Sequence, residues 1–375
     1  MTTSLSRRAW LQRSAMAAAI LPVSGWYRPG ADYFTSSDRG EVPAIRLNSN
    51  ENAYGPSEAS KKAIMDSLTE ANRYPRAFIS QLREAVAVRE GLTAQHILIT
   101  AGSTELLGLA GLAYGLQKGE LLACSPTFDF LLQYAERLGC TWARTPVQEN
   151  FQYDLNALSK AANQNTRLIF VCNPNNPTGI EIPSDELKSF CETHAPNYPL
   201  YIDEAYIELS PDGRKSSMSS LVDSYPNLII GRTFSKVHGL AGMRIGYAVA
   251  HPDTITKLAN YHIGREQTLS IPAAAAAMAA LEDHDFENMC RTKIIEGRNL
   301  VSKAFNDWGV KHLPSAANFI FFNNEKFAMD PVKAMEQEKI LIRSYKTVPG
   351  WTRVSIGKVE EMQLFLDAAQ KYIIT

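Results

Sequence analysis

The chain has 375 residues, of which 45% are hydrophobic and 21% charged, a composition typical of a soluble globular protein with two lobes or one large α/β unit. Its formal net charge of -1 argues against nucleic acid or a membrane surface as the main partner, because both require a concentrated basic surface. The five cysteines include no CxxC pair, so the sequence predicts buried thiols rather than a metal site or a disulfide framework.

The first 25 residues have the layout of an export signal. Arg7 and Arg8 precede an apolar run at 15–23, and the small residues Ser24 and Gly25 follow it. The run is shorter than the ~20 apolar residues of a membrane-spanning helix, so the sequence predicts no membrane span in the mature chain. The paired arginines resemble a twin-arginine signal, which predicts export to the periplasm. The alternative is an amphipathic N-terminal helix or a mis-assigned start, with the protein in the cytoplasm.

A polar linker at 26–43 leads into a region where apolar runs alternate with helical patterns. Such a βαβ rhythm is typical of a mostly parallel sheet with helices on both faces. The predicted elements are helices at 57–65, 81–90, 105–114, 128–138 and 184–192, the last capped by Ser184, and strands at 96–100, 121–124, 168–172 and 199–203.

The pattern changes in the C-terminal quarter. An alanine-rich run at 272–281 and a long helix at 285–308 are followed by short strands at 318–322, 340–343 and 353–356 and a closing helix at 359–373. The sequence therefore predicts a large α/β domain and a smaller α+β domain. The predicted boundaries are 1–25 for the signal, 26–70 for an N-terminal strap and part of the small domain, 71–275 for the large domain and 276–375 for the small domain.

Lys236 stands in an unusual setting for a lysine. It follows the apolar run 227–231 and is itself followed by glycines and Arg244. A buried lysine loses its proton easily, which suits amine chemistry such as a Schiff base with a carbonyl compound; an ordinary loop charge is the alternative. The stretches 173–179 and 201–206 also follow strand-like runs, and active sites in open parallel sheets form at such carboxyl ends.

A series of short stretches, in the same order along the chain, resembles the fold-type I pyridoxal-phosphate enzymes of aminotransferase classes I and II. Within these the sequence is most similar to the histidinol-phosphate aminotransferases. The stretches are Leu47–Asn52, Arg73–Pro75, Ala101–Glu105, Asn173–Gly179, Asp203–Tyr206, Ser235–Lys236, Gly242–Arg244 and Arg353–Gly357. The resemblance covers the chain from about residue 47 to its C-terminus and implies pyridoxal 5'-phosphate as cofactor.

The resemblance implies a role for each residue around the cofactor ring. Lys236 forms the Schiff base and, once the substrate amine displaces it, moves the proton from the substrate Cα. Asp203 keeps the pyridine nitrogen protonated, so that the ring can act as an electron sink. Tyr206 and Asn176 bond to the phenolate oxygen. A capping or surface carboxylate is the alternative for Asp203, and a turn residue is the alternative for Asn176.

The cofactor phosphate requires hydrogen-bond donors and positive charge. The resemblance assigns these to Gly102, Ser103, Thr104, Thr233, Ser235 and Arg244. Phe128 occupies the place of a ring-stacking aromatic, with a core phenylalanine as the alternative. Tyr74 matches a residue that reaches the phosphate of the neighbouring subunit, which implies a homodimer with shared active sites.

Three residues are implied in substrate binding: Arg353, Arg343 and Asn50. Arg353 matches an arginine that binds the substrate carboxylate or part of a substrate phosphate, and Arg343 matches a second arginine. The guanidinium fork fits either oxyanion, so residue type does not choose between them. A surface ion pair is the alternative for Arg343.

The sequence thus indicates an aminotransferase that moves an amino group between an amino acid or amine, phosphorylated or not, and a 2-oxo acid such as 2-oxoglutarate. A decarboxylase, racemase or lyase on the same scaffold is one alternative. A non-catalytic exported binding protein, which would lack turnover, is another. No metal site is predicted.

Overall fold

A computed structural model describes residues 44–374, with the side chain of Arg265 excepted. The expected export signal at 1–25 and the linker at 26–43 lie outside the described residues. The strands are β1 (Ile45–Arg46), β2 (Ile97–Thr100), β3 (Glu120–Ser125), β4 (Thr141–Pro146), β5 (Thr166–Cys172), β6 (Leu200–Asp203), β7 (Leu228–Thr233), β8 (Gly246–Ala250), β9 (Phe319–Asn323), β10 (Ile340–Leu341), β11 (Arg343–Ser344) and β12 (Trp351–Ser355).

Eleven α-helices occur within the described residues. They are α1 (Glu58–Ser67), α2 (Arg76–Glu90), α3 (Gly102–Gly115), α4 (Phe130–Arg137), α5 (Leu155–Ala161), α6 (Ser184–His194), α7 (Pro252–Ala259), α8 (Ile271–Glu282), α9 (His284–Asp307), α10 (Pro331–Gln337) and α11 (Val359–Gln370). Local sequence sets several of the helix ends. Ser57 caps α1 by accepting a hydrogen bond from the Ser60 amide, and α2 stops at Gly91, whose φ of 71° suits a residue without a side chain.

Seven strands form the large sheet in the order β2-β8-β7-β6-β5-β3-β4. All are parallel to one another except β8, which runs antiparallel to both β2 and β7. The central strands are buried on both faces, as every residue of β6 and β7 is, because helices cover the two sides of the sheet. The predicted α/β fold with a mostly parallel sheet is confirmed.

A smaller α+β part follows. Strands β11, β12 and β9 form an antiparallel sheet, and β1 pairs in parallel with β10. Phe305 of α9 and Phe365 of α11 belong to the same buried cluster as Phe322 and Val354 of this sheet. The predicted smaller α+β part is confirmed, whereas the exact domain boundaries stay predictions.

The structure adds elements that the sequence patterns did not indicate. Strands β4 and β8 and helices α5, α7 and α10 were not expected. The expected cap of α6 is wrong, because Ser184 is the first helical residue and Pro183 occupies the cap position without a side-chain hydrogen bond. Proline at that position has no hydroxyl with which to accept one.

All five cysteines are free and buried, as expected. Within residues 44–374, no group of three or more histidine, cysteine, aspartate or glutamate side chains is placed to hold a metal ion. None of the helices in this part of the chain is both long enough and apolar enough to cross a bilayer.

Candidate active site

The carboxyl ends of β6 and β7 bring Asp203 and Lys236 to the same edge of the large sheet. Asp203 is the last residue of β6 and is 3% exposed. Lys236 lies three residues beyond β7. Its Nζ donates a hydrogen bond of 3.0 Å to the backbone oxygen of Asn50 and lies 5.3 Å from the centre of the Tyr206 ring. Neighbouring parallel strands thus place an amine and a carboxylate in one site.

Burial controls the protonation of Lys236. It lowers the pKa of the amine to about 8, and the nearby guanidinium of Arg353 acts in the same direction, while the carboxylates of Asp203 and Glu51 oppose both. An amine with a pKa of about 8 is neutral in a useful fraction of molecules near neutral pH. Such an amine can accept a proton or attack a carbonyl carbon.

Asp203 is affected by burial in the opposite sense. Burial raises the pKa of its carboxyl group to about 6, and the Ala205 amide and the Lys236 amine only partly offset this. The Ala205 amide donates to Asp203 Oδ1 at 3.2 Å. Above pH 6 the site therefore holds a buried carboxylate that gains by meeting a cationic N–H group, since a buried charge is costly without a partner.

Tyr206 and Asn50 form a polar pair beside the amine. Asn50 Nδ2 donates to the Tyr206 hydroxyl at 2.9 Å, and the Ser355 hydroxyl donates to Asn50 Oδ1 at 3.0 Å. Burial raises the pKa of Tyr206, so its hydroxyl keeps its proton and can donate it in a hydrogen bond. Asn50 has a φ of 53°, a left-handed conformation that asparagine tolerates better than most residues.

An anion cradle lies at the start of α3. Gly102 begins this 14-residue helix, and Arg244 Nη2 donates to the Thr104 hydroxyl at 3.3 Å. A side chain at Gly102 would put its Cβ only 2.6 Å from Arg244 Nη2, so the glycine makes room for the guanidinium. Ser103 is half-buried in the first turn. The helix N-terminus and the guanidinium together suit a phosphate group.

Thr233 and Ser235 add two buried hydroxyls next to the lysine. Thr233 Oγ1 donates to Ser235 Oγ at 2.9 Å and accepts from the Ser235 amide at 3.1 Å. Phe128 is half-buried and packs against the core beneath the sheet. Tyr74 is 80% exposed, which places this residue on the surface of the single chain rather than in its interior.

Arg353 is buried, although it carries a charge. Its Nη1 donates to Asn176 Oδ1 and its Nη2 to the backbone oxygen of Asn48, both at 2.7 Å. Its guanidinium carbon lies 5.3 Å from the ring centre of Phe319 and 5.4 Å from that of Tyr345. The aromatic rings keep the guanidinium in place, and the hydrogen bond unites the expected substrate residue with the expected cofactor residue Asn176.

Arg343 pairs with Arg353 across β11 and β12 but is exposed. Its guanidinium carbon lies 5.4 Å from the Tyr345 ring centre, the same distance as the guanidinium carbon of Arg353. The Tyr345 ring is therefore near both guanidinium groups. Within residues 44–374, no carboxylate lies within ion-pair distance of Arg343. Two guanidinium groups on adjacent strands repel each other unless an anion joins them.

Three contributors were not identified from the sequence: Asn318, Ser355 and Tyr345. Asn318 Nδ2 donates to the backbone oxygens of Asn50 and Glu51 at 3.0 and 3.3 Å. The sequence feature that could have indicated Asn318 is the position of its amide side chain directly before the apolar strand β9. Ser355 lies two residues after Arg353, and residues two apart on a strand share a face, so the same stretch could have indicated it.

The residues present fit pyridoxal phosphate, which needs a separate partner for its aldehyde, ring nitrogen, phenolate and phosphate. The half-buried amine of Lys236, the buried carboxylate of Asp203, the Tyr206 hydroxyl and the group around Arg244 at the start of α3 would supply these four partners. Gly102 has no side chain and so leaves room beside Arg244. This arrangement fits a bound phosphate group.

This chain belongs to the aminotransferase class I and II family, whose model matches residues 42–368. The expected fold, aminotransferase activity and pyridoxal-phosphate cofactor are those of this family. Among its relatives, histidinol-phosphate aminotransferase 1 of Nitrosococcus oceani is 33% identical over 347 residues, which are 92% of this chain and 93% of the relative. Histidinol-phosphate aminotransferase of Rubrobacter xylanophilus is 31% identical over 94% of this chain and 98% of the relative.

Solved structures are similar over the same region. Histidinol-phosphate aminotransferase from Sinorhizobium meliloti in complex with pyridoxal-5'-phosphate has a TM-score of 0.82 at 26% identity, covering 92% of this chain and 97% of that one. A mutant of Thermus thermophilus aspartate aminotransferase has a TM-score of 0.76 at 22% identity over 88% of this chain and 96% of that one. The second likeness supports the fold alone.

Proposed function

We propose that this protein transfers the amino group of a phosphorylated amine of the histidinol-phosphate type to a 2-oxo acid such as 2-oxoglutarate. One observation carries the proposal: Lys236, with a pKa lowered to about 8, and the buried Asp203 share one site with the guanidinium of Arg353. Pyridoxal phosphate, when bound, supplies an electron sink for the bond broken at the substrate Cα. The relatives named above support this donor.

On the cofactor side, each group of the chain has one task. Asp203 holds a proton on the ring nitrogen, because its buried carboxylate gains more from a cationic partner than from water. Tyr206 and Asn176 bond to the phenolate oxygen. The first turn of α3 and Arg244 bind the phosphate, with Thr233 and Ser235 adding hydroxyls and Phe128 lying against the ring.

The amine of Lys236 is the proposed acid and base. This amine would hold the cofactor aldehyde and, once free, would carry the proton of the substrate Cα. Its position beside the Asn50 oxygen orients the free amine.

On the substrate side, Arg353 binds an oxyanion and Asn50 lines the same wall. Arg343 supplies a second cation on the neighbouring strand, and its exposure leaves it accessible to a group that enters from solvent. Two guanidinium groups with one aromatic ring between them suit the dianion of a phosphomonoester.

The test is a coupled assay with histidinol phosphate, unphosphorylated histidinol and a panel of amino acids, each with 2-oxoglutarate. We expect histidinol phosphate to give glutamate mole for mole. Release of carbon dioxide or loss of donor chirality without consumption of 2-oxoglutarate would instead identify a decarboxylase or racemase. Turnover of amino acids alone would contradict the phosphorylated donor but not the aminotransferase.

We also propose a homodimer with shared active sites. Met65, Leu68, Tyr74, Val88 and Ile263 are apolar or aromatic yet 57–80% exposed, and such surfaces are typical of interfaces. If Tyr74 completes the site of the other subunit, then mixing inactive Lys236→Ala protein with inactive Tyr74→Ala protein should restore up to about a quarter of the activity, because each mixed dimer contains one intact site. A mixture that stays inactive after subunit exchange would contradict shared sites.

Residues 1–25 are proposed as a twin-arginine export signal, on the strength of Arg7, Arg8 and the apolar run that follows. Replacing both arginines by lysine should retain the protein in the cytoplasm of the producing cell if the proposal holds. An unchanged distribution between cytoplasm and periplasm would reject it.

A further inference from the structure

Arg232 of β7 and Glu204, the residue directly after β6, are charged residues whose side chains point away from those of Thr233 and Asp203. Side chains alternate along a strand, so Glu204 points away from the face of Asp203, and Arg232 points away from that of Thr233. Arg232 and Glu204 are each 1% exposed. Arg232 is therefore enclosed behind the site, and the hydrogen bonds and ion pairs of its side chain go to Glu90, Glu204, Glu208 and Ser217.

The guanidinium of Arg232 reaches two different segments. Its Nη2 lies 3.0 Å from Glu204 Oε2, and its Nη1 lies 3.2 Å from Glu208 Oε1. Its Nη2 also donates to the Ser217 hydroxyl at 2.8 Å. Ser217 donates in turn to the same oxygen of Glu204 at 2.7 Å, and the Met218 amide donates to the other oxygen at 2.8 Å. Glu204 is thus fixed from several sides.

Arg232 and its two glutamate partners lie close in sequence to the three proposed catalytic residues. Glu204 directly follows Asp203, Glu208 lies two residues beyond Tyr206, and Arg232 lies four residues before Lys236. The backbone adds a further link, since the Glu204 amide donates to the Gly231 oxygen at 2.9 Å. One guanidinium therefore connects the stretch 203–208, which carries Asp203 and Tyr206, to the strand that leads to Lys236.

We propose that Arg232 is a positioning residue, whose guanidinium sets the spacing of Asp203, Tyr206 and Lys236 from the reverse face of the sheet. The inference rests on the proposed roles of those three residues. Catalytic groups must be held within a fraction of an ångström of their productive geometry. A planar fork with donors in fixed directions can impose such a spacing on two carboxylates at once, which a lysine cannot do.

Stability alone is a poor reason for this arrangement. A third carboxylate, Glu90, lies 3.9 Å from Arg232 Nη2 and 2.6 Å from Arg214 Nη2. Burial opposes its charge, yet the two arginines lower the pKa of Glu90 to about 2. Buried ionic networks of this kind are often no more stable than apolar packing of the same volume. Directional bonds to Glu204 and Glu208 are what apolar residues could not supply.

The test compares Arg232→Lys with Arg89→Lys in the full chain. Arg89 is a half-buried arginine, bound to Glu287 Oε2 at 2.5 Å and to the Leu281 oxygen at 3.1 Å, and neither partner belongs to the stretches that carry Asp203, Tyr206 and Lys236. Both variants keep the charge and lose the fork. Four quantities are measured: kcat and KM of the holoenzyme, the melting temperature, and the pKa of the Lys236 amine in cofactor-free protein. The pKa is obtained from the pH dependence of the acylation of this amine, followed by mass spectrometry.

In Arg232→Lys we expect kcat to fall about 10–100-fold, the loss that follows from displacing catalytic groups by up to an ångström. The KM should change far less, since Arg353 lies on another sheet. A loosened wall admits water, so the pKa of Lys236 should rise from about 8 toward its ordinary value of 10.5. Arg89→Lys should lower the melting temperature while leaving kcat and this pKa unchanged.

Wild-type kcat and wild-type Lys236 pKa in folded Arg232→Lys would overturn the inference and leave Arg232 as a structural residue. If that variant does not fold, Glu208→Gln takes its place, because it keeps the side-chain shape and weakens the bond to Arg232 Nη1 at 3.2 Å together with the longer one to Arg214 Nη1 at 3.4 Å. The same two shifts, in smaller size, are then expected, and their absence would overturn the inference equally. The pKa is measured in cofactor-free protein, so this test of Arg232 does not depend on the proposed function. A failure of the proposed function would instead appear as wild-type protein that is unable to bind pyridoxal phosphate.

Discussion

The residues proposed to hold the cofactor and those proposed to hold the substrate lie on two sheets with different exposure. Asp203 and Lys236 follow buried strands of the seven-stranded sheet, and burial shifts the pKa of both groups toward neutrality. Arg353 and Arg343 lie on the three-stranded sheet, and only one of them is buried although they are register partners. The proposed chemistry therefore depends on the burial of Asp203 and Lys236, whereas the proposed discrimination between donors depends on the solvent-facing Arg343.

The largest effect should come from removing the amine. Lys236→Ala should lower kcat by at least the ~10²–10⁴-fold contributed by a general acid–base group, and borohydride should no longer fix the cofactor to the protein. Lys257→Ala is the matched control, because that amine also has a pKa lowered by burial and lies against Tyr114, away from the site. Equal turnover in both variants would remove Lys236 from the mechanism.

Asp203 should show the energetic cost of a buried acid. Its folded-state pKa of about 6 exceeds the ordinary 3.8, so ionisation of Asp203 destabilises the cofactor-free protein. This destabilisation is complete above pH 6 and absent below pH 3.8. A shift of this size corresponds to about 3 kcal/mol. Asp203→Asn should therefore unfold at higher urea concentration than wild type at pH 8, with the difference vanishing at pH 3.5.

The same variant should be nearly inactive, since an amide cannot hold a proton on the ring nitrogen. The exposed Asp185 offers the control: Asp185→Asn should shift neither stability nor activity. If Asp203→Asn were less stable than wild type at pH 8, then the hydrogen bonds and charges around the Asp203 carboxylate would stabilise it by more than its burial costs.

On the substrate side, Arg353→Ala should raise KM for anionic donors by about 1.5–3 kcal/mol, the value of a charge-assisted hydrogen bond. Arg343→Ala should raise KM only for phosphorylated donors, because a phosphate dianion can engage both guanidinium groups whereas a single carboxylate is held by Arg353 alone. Steady-state kinetics with phosphorylated and unphosphorylated donors separates the two. A uniform effect of Arg343→Ala on all donors would show that the exposed arginine does not discriminate.

The smallest effect should come from the phosphate cradle. Gly102→Ala adds a Cβ that meets Arg244 Nη2 at 2.6 Å and places alanine at a φ of 76°, a conformation that costs about 1–3 kcal/mol. We expect weaker cofactor binding, measured by titration of cofactor-free protein. Gly108→Ala in the same helix has open space around its added Cβ and should bind the cofactor like wild type. Equal affinities in the two variants would count against the cradle.

Local patterns were sufficient for the features that local sequence determines. The apolar run before Lys236 and the two other strand-end stretches predicted one catalytic edge, because parallel strands end together. The direction of β8 was not predictable, since a five-residue apolar strand carries no sign of which way it runs. Likewise, the motif around Arg353 indicated its charge but not its burial against Phe319 and Tyr345.

Contacts between distant parts of the chain explain most of what was missed. Glu90 and Arg232 are 142 positions apart in the sequence and meet only because α2 packs behind the sheet. A single glutamate at a helix end resembles an ordinary surface charge, so nothing local distinguishes Glu90. The bond from Asn50 to Tyr206 spans 156 positions, and it too exists only in the folded chain.

The backbone oxygen of Asn50 accepts hydrogen bonds from Lys236 and from Asn318, so three remote stretches of polypeptide converge on one carbonyl. The Asn50 amide and side chain are bonded to Ser355 and Tyr206 as well. The segment that precedes the first helix, although it is no part of the seven-stranded sheet, therefore supplies the acceptor that orients the Lys236 amine.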